Sequence, residues 1–335
     1  MDGMAELTGG LLGGLSLQNS FGYGSAQARS TKSKEMNRRV DWGYETARTR
    51  IGNVTETSIN RRKFLRAAVA TPLLAVSAAS GYARLIEPYN YRLSQTDISI
   101  RDLPDSFEGF RIAQITDVHH SRILGIEEVQ RVVRLTQEAK PDLIALTGDY
   151  TTTYRRYIEP CAEALGKLEA PFGVWAVLGN HDHYTDPELT TRALERNHIA
   201  VLNNANTILR RGTETLQLSG VDDWSWAADD WTRAFYGLDL KRPTILLSHQ
   251  PIVLDLAQTQ NASLILSGHT HGGQINLPLL GAPARFATKD LKYARGLFRR
   301  GNTQLYVSSG TGVIGLPVRF GVRPEIAILR LRRAR

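Results

Sequence analysis

The sequence holds a single cysteine, Cys161, in 335 residues. One thiol excludes an intrachain disulfide and a Cys-based zinc cluster, so any metal must be held by His, Asp, Asn or Glu. There is no Gly-x-Ser-x-Gly elbow and no Walker-type phosphate loop. Those absences argue against a covalent serine hydrolase and against nucleotide-driven motor work. A strongly basic body is missing too. The net charge of +8 is concentrated at the front: residues 1–83 carry 11 Lys+Arg against 6 Asp+Glu, which leaves 30 against 27 over residues 84–335. So flat a balance gives poor support to binding of a polyanion, and no nucleic-acid partner is expected.

Hydrophobic residues make up 42% and charged residues 22%, close to a globular average, so the chain can bury a core. Its length predicts one catalytic domain plus an appendage. Residues 1–59 read as an N-terminal extension. Its first 35 residues carry seven glycines without apolar periodicity, which predicts disorder or a start assigned too early, with Met36 as the real one. Next come Asn60-Arg61-Arg62-Lys63-Phe64-Leu65-Arg66 and an uncharged, small-residue run, Ala67 to Ala79. A basic stretch, a short apolar stretch and Val76-Ser77-Ala78 make a signal peptide over 60–83. The paired arginines followed by Phe64 and Leu65 resemble the twin-arginine export signal. That implies passage across a bacterial inner membrane by the twin-arginine translocation machinery, to a periplasmic, cell-wall or membrane-anchored location. The alternative is a basic patch before a buried helix. Thirteen residues fall short of the about 20 of a comfortable span. Residues 84–106, with Pro88 and Pro104, read as a linker and a lead-in strand, and the catalytic domain as 107–335.

From Phe110 onward, short apolar runs alternate with helix-like segments. The runs are Arg111 to Ile115, Leu143 to Leu146, Val174 to Leu178, Thr244 to Leu247, Leu264 to Leu266 and Leu305 to Val307. Their length and β-branched content predict buried strands. Ile126 to Ala139, with Ile126, Val129, Val132 and Val133 at helical spacing and Pro141 beyond, predicts a helix. Together they make an α/β protein.

The first five runs each end in a polar cluster: Asp117-Val118-His119-His120, Gly148-Asp149-Tyr150, Gly179-Asn180-His181-Asp182-His183, Ser248-His249 and Gly268-His269-Thr270-His271-Gly272-Gly273. Seven of the eight histidines lie in these clusters, and His198 alone stands apart. Ligands of α/β sheets bind beyond the carboxyl ends of strands, so the clusters can converge on one place. Imidazoles, carboxylates and an amide without thiolates suit a divalent ion such as Mn²⁺, Fe²⁺ or Zn²⁺. Asp117, His119, Asp149, Asn180, His249, His269 and His271 are enough for two such ions sharing one carboxylate. A pair of ions clamps an in-line displacement at phosphorus and readies water for attack, which predicts hydrolysis of a phosphate ester.

The order Asp-x-His, Gly-Asp, Gly-Asn-His-Asp, His, Gly-His-x-His, running from Asp117 to His271, resembles the calcineurin-like metallophosphoesterase superfamily. The likeness extends from about Phe107 to Leu331, and with Gly310-Thr311-Gly312, Pro324-Glu325-Ile326 and the leader it resembles an exported or membrane-associated branch. The resemblance implies a four-layer α-β-β-α sandwich of two mixed β-sheets flanked by helices. It implies that Asp117, His119, Asp149 and His271 hold one ion, that Asp149, Asn180, His249 and His269 hold the other, and that His181 assists the transition state or protonates the leaving oxygen. Asp182 would then fix the His181 tautomer; helix capping is its plain alternative.

His120 and His183 are extra to the pattern and can contact a substrate phosphate or serve as loop polarity. Arg319 and Arg323 can reach a phosphate bidentately or lie on the surface. Leu277, Leu279, Leu280, Phe286 and Phe298 mingle with Lys289, Lys292, Arg295, Arg299 and Arg300, and Trp224, Trp226 and Trp231 lie among Asp222, Asp223, Asp229 and Asp230. Apolar plus basic character suggests a phospholipid or nucleotide-linked glycolipid substrate such as UDP-2,3-diacylglucosamine; core and solvated-loop residues are the alternative. A metal-dependent phosphoesterase, a silent scaffold of the same fold and a nuclease are the three functional classes, and the unbroken ligand set favours the first.

Overall fold

The computed structural model describes residues 60–256, 259, 261–283 and 289–334. The extension expected over 1–59, with Met36, and Phe286 lie outside the described residues. Two six-stranded mixed sheets face each other. The first contains β1 (Arg92–Ile100), β2 (Arg111–Ile115), β3 (Leu143–Thr147), β4 (Val174–Val177), β5 (Ala200–Val201) and β12 (Glu325–Arg333), in the order β1-β12-β2-β3-β4-β5. The second contains β6 (Ala205–Arg211), β7 (Glu214–Gly220), β8 (Thr244–Leu247), β9 (Leu264–Ser267), β10 (Gly296–Arg300) and β11 (Thr303–Val307), in the order β10-β11-β9-β8-β7-β6. In the first sheet only the β12–β2 pairing is antiparallel. In the second, the outer pairs β10–β11 and β6–β7 are antiparallel and the inner strands parallel.

Strand alternation builds the layers, because successive side chains point to opposite faces. Leu143 and Ala145 of β3 point between the sheets, where they meet Leu218, Ile245, Leu247, Leu264 and Leu266 of the second sheet. Ile144 and Leu146 point outward and pack with helices α2 (Ile126–Glu138), α3 (Ile158–Leu165) and α5 (Pro187–Arg196). In α2 the buried face is Val129, Val132, Val133 and Thr136, the apolar stripe read from the sequence. The outer face of the second sheet, with Leu246, Ile265, Leu305 and Val307, is covered by Ala234 of the single-turn α6 (Trp231–Ala234) and by Val253 and Leu254. The expected sandwich is therefore present, with a thin fourth layer. Gln114 ties the two sheets together, its Nε2 donating to Thr147 Oγ1 at 3.0 Å and to the Ser267 carbonyl at 2.9 Å.

Before the domain comes a 25-residue helix, α1 (Arg61–Leu85), containing Pro72 and capped by the Asn60 side chain. The helix runs past Ala79, so its uncharged run reaches from Ala67 to Ala83, and it is long and apolar enough to cross a membrane. Phe64, Leu65, Val69, Leu73, Leu74 and Val76 are all exposed along it. Beyond it, β1 pairs with β12 over nine residues, so the lead-in strand expected within 84–106 is part of the first sheet.

Candidate metal centre

All seven expected ligands lie just past the carboxyl ends of β2, β3, β4, β8 and β9, where side chains from several strands can meet. Asp149 is at the centre. Its Oδ2 lies 3.5 Å from His119 Nε2 on one side and 3.2 Å from His249 Nε2 on the other. On the first side His119 Nε2 and His271 Nε2 are 3.1 Å apart, with Asp117 Oδ1 3.3 Å from His271 Nε2. On the second, Asn180 Oδ1 lies 3.1 Å from His249 Nε2 and 3.0 Å from His269 Nδ1. Ligands about 2.1 Å from a common ion sit roughly 3 to 3.5 Å from one another, so both groupings have the spacing of a coordination shell.

Hydrogen-bond logic shows that these groups suit a cation. His249 Nδ1 lies 2.8 Å from the Thr147 carbonyl, which can only accept, so Nδ1 carries the hydrogen. The other nitrogen, Nε2, then directs a lone pair at two oxygens, Asp149 Oδ2 and Asn180 Oδ1, an arrangement that requires a proton or a metal between them. Burial disfavours the His249 imidazolium, yet the Asp149 carboxylate outweighs burial and holds the ring up at about 10. His119 is the opposite case: burial brings it down to about 3, and its neutral ring is the form that ligates. Burial, with the Asp149 charge beside it, pushes Asp117 up to about 6, while the imidazoles around Asp149, His249 foremost, outweigh burial and hold that carboxyl well below the usual range. Among the described residues the ion pairs of these two carboxylates are with histidines, not with lysine or arginine. Two fully buried acids whose direct ion pairs are only with titratable imidazoles are costly alone and suited to divalent ions.

Backbone shape carries the rest. Asp117, His119, Asp149, His269 and His271 all have positive φ, between 48° and 71°. Side-chain-bearing residues rarely adopt that region, and such strain gathers at functional sites. Asp117 is further pinned by Thr116 Oγ1 at 2.8 Å and by the His269 N–H, 3.0 Å from both carboxylate oxygens. Gly268 packs against that carboxylate so closely that an added Cβ would fall inside the van der Waals shells of Thr116 Oγ1 and Asp117 Oδ2. Gly268→Ala is therefore expected to turn Asp117 out of place and weaken metal binding by at least the roughly 10- to 100-fold typical of a disturbed supporting residue. Titration calorimetry on the variant checks this, and wild-type affinity would refute it.

His181 opens α4 (Asn180–Thr185) beside the first grouping, its ring 5.0 Å from that of His119. Its N–H donates to Asp149 Oδ1 at 2.9 Å, and its Nδ1 lies 2.8 Å from the Thr152 carbonyl. Thr152, not Asp182, thus sets the His181 tautomer, which corrects the expectation for Asp182. The Asp182 carboxylate is buried and accepts from the N–H groups of Asp149, Tyr150 and Gly179 at 2.7, 3.0 and 2.9 Å. It clamps the loop after β3 to the start of α4, the capping alternative in extended form. Burial and the Asp149 charge push it up to about 7.

The expected substrate contacts are corrected in three cases. His120 is buried, its Nδ1 2.9 Å from the Leu124 carbonyl and its ring against Tyr157. Arg319 is fully buried behind the site and donates to the carbonyls of Ser309, Gly310, Gly312 and Val322, with Nη2 3.4 Å from His271 Nδ1. Arg323 binds the Asn90 and Tyr91 carbonyls and Asn90 Oδ1. His120 and Arg319 are thus buried against backbone carbonyls, and Arg323 lies on the exposed surface, the alternative expected for it. His183 stays at the rim, where its Nε2 meets Asp222 Oδ1 at 2.6 Å and its ring stacks on Trp226. Trp226 is half-exposed, and its Nε1 donates to the Asn180 carbonyl at 3.2 Å. The role of Arg319 as a buried support for the His271 loop had no sequence signal beyond the nearby glycines.

Comparison with known proteins agrees with this geometry. The calcineurin-like phosphoesterase family matches residues 110–273. The chain is 33% identical over 82% of its length to 98% of the uncharacterized metallophosphoesterase YkuE of Bacillus subtilis (strain 168). It is 31% identical over 82% of its length to 99% of phosphodiesterase YaeI of Escherichia coli (strain K12). A transmembrane protein with metallophosphoesterase domain from Danio rerio is 31% identical over 83% of this chain and 65% of its own.

Proposed function

The chain belongs to the calcineurin-like phosphoesterase family and is a hydrolase of phosphoric esters, and from that premise we propose that it is an exported, membrane-associated phosphodiesterase acting on a lipid-linked phosphate or pyrophosphate ester. One observation carries the reaction: Asp149 Oδ2 stands between two converging sets of nitrogens and oxygens. The phosphodiesterase name of YaeI supports the diester preference. The exposed apolar length of α1 and the transmembrane character in the name of the Danio rerio relative support a membrane location.

Two divalent ions, Mn²⁺, Fe²⁺ or Zn²⁺, supply Lewis acidity at phosphorus when bound. Asp117, His119, Asp149 and His271 would hold one, and Asp149, Asn180, His249 and His269 the other. His181 supplies proton transfer. With its Nδ1 hydrogen committed to the Thr152 carbonyl, Nε2 is the nitrogen left to carry the transferable proton: His181 would enter as the imidazolium, give the Nε2 proton to the departing oxygen and be left as the neutral Nδ1–H ring. Asp182 holds the backbone of Asp149 and Gly179 in register, so the proton donor and the shared carboxylate move as one unit.

Hydrolysis of an aryl phosphodiester by the purified full chain should vanish on chelation and return with Mn²⁺; activity that survives chelation would overturn the metal mechanism. In the same assay a phospholipid or UDP-2,3-diacylglucosamine should be a better substrate than the aryl diester. Turnover of soluble esters alone would overturn the lipid assignment and leave the reaction class standing. For export, Arg61→Lys with Arg62→Lys should strand the protein in the cytoplasm, and normal fractionation of that variant would contradict the twin-arginine reading.

A further inference from the structure

We infer that the turn bearing Leu279 and Leu280, together with Leu316, dips into the bilayer at the root of α1 and holds the mouth of the metal centre against the membrane surface. The inference rests on the membrane reading of α1. The three leucines are 106%, 73% and 65% exposed, and solvent-facing leucines at loop tips call for an explanation when they are grouped.

A chain of contacts joins them to one another and to α1. Phe320 packs edge-on against Tyr82, near the carboxyl end of α1, with ring centroids 6.5 Å apart. The neighbouring Arg319 N–H donates to the Ala83 carbonyl at 2.9 Å. On its other side Phe320 pairs with Ile275, and its carbonyl accepts from the Asn276 N–H at 2.6 Å. Asn276 leads directly into the turn closed by Leu277 and Gly281, whose tip is Leu279 and Leu280. Gln274 Nε2 donates to the Leu316 carbonyl at 2.9 Å. The helix end, the turn and the Leu316 loop are thus fastened at one junction.

That junction fixes the occupant. A helix that leaves the domain here with Phe64, Leu73 and Leu74 exposed is matched to hydrocarbon, and the leucines around its root continue the same apolar surface to the depth of the headgroups. Arg295, which donates to the carbonyl of Gly321 next to Phe320, places a cation at the same junction, as anionic lipid favours. Gln274 is three residues past His271, so the same short segment carries a metal-site imidazole and the membrane contact. A phosphate ester held at headgroup depth would then reach the centre without leaving the bilayer.

The lone native thiol makes the test direct. Cys161 is fully buried and burial pushes it up, away from reactivity. An environment-sensitive fluorophore can therefore be placed on the full chain at Leu279→Cys, Leu316→Cys, Leu73→Cys or Lys241→Cys. Lys241 is exposed and precedes β8, at the opposite end of that strand from His249. With phosphatidylglycerol and phosphatidylcholine vesicles carrying a nitroxide lipid, labels at positions 279, 316 and 73 should lose emission and the label at 241 should not. Quenching at 73 with none at 279 and 316 would overturn this inference while leaving α1 in the membrane. No quenching anywhere would overturn the membrane reading itself. Equal quenching at 241 would show a non-specific association and would also overturn the inference.

Discussion

Asp149→Ala is expected to abolish hydrolysis, lowering kcat/KM by at least roughly 10⁴-fold, about 5.5 kcal/mol of transition-state stabilisation. The size follows from sharing. Each other ligand serves one grouping, whereas Asp149 Oδ2 faces both His119 and His249, and its Oδ1 also holds the His181 N–H. Its removal takes a ligand from both ions and loosens the proton donor together with them. Elemental analysis should find both ions lost, and far-ultraviolet circular dichroism should find the fold kept. A variant that retains two ions and substantial activity would show that the carboxylate does not bridge. Asp149→Asn keeps the size and the contact to His181 without the charge, so its failure to turn over would locate the effect in the charge.

The second large effect is expected at His181, and its pattern should differ. His181→Ala should lower kcat by a factor on the order of 10² to 10⁴, the range of general acid–base assistance, with both ions still bound. The structure supports that separation, because the His181 contacts to Asp149 and Thr152 are through its own N–H and Nδ1. The loss should also shrink for esters whose leaving group needs no proton, so a nitrophenyl diester should suffer less than an alkyl one. Loss of metal from the variant would mean that His181 is a ligand, and an equal loss on both esters would mean that it does not protonate the leaving oxygen.

What could be read from the sequence was whatever repeats a local rule. The β2, β3, β8 and β9 strands are short and apolar on both faces, so their runs stand out, and the site residues follow them at once. Other elements obey no such rule. In the hairpin, β6 is mostly half-buried or exposed, and in β7 the buried Leu216 and Leu218 alternate with Thr, Gln and Ser, so there is no apolar run to see. The parallel pairing of β1 with β12 joins residues more than 230 positions apart, which no window of sequence contains. Side-chain direction was equally hidden. His120 and His119 are neighbours in a motif, yet one turns to the Leu124 carbonyl and the other to His271. For Arg319 the sequence offers a phosphate contact or the surface and not burial, because burial of a guanidinium requires several carbonyls at once, and these come from a loop whose shape appears only in three dimensions. Asp182 fell to the same limit: its partners are backbone N–H groups, which carry no letter of their own.

The left-handed backbone at five of the metal-site residues has a consequence for how the centre comes into being. Each such residue costs roughly 1 kcal/mol or more relative to a relaxed chain, and nothing in a short peptide would repay that. Isolated loops with the same letters would spring back to ordinary conformations and hold ions poorly. The coordinating geometry is thus held by the closed sheets around it and not by the loops themselves, and transplanting Gly-His-Thr-His-Gly alone onto another scaffold would transfer the composition without the grip.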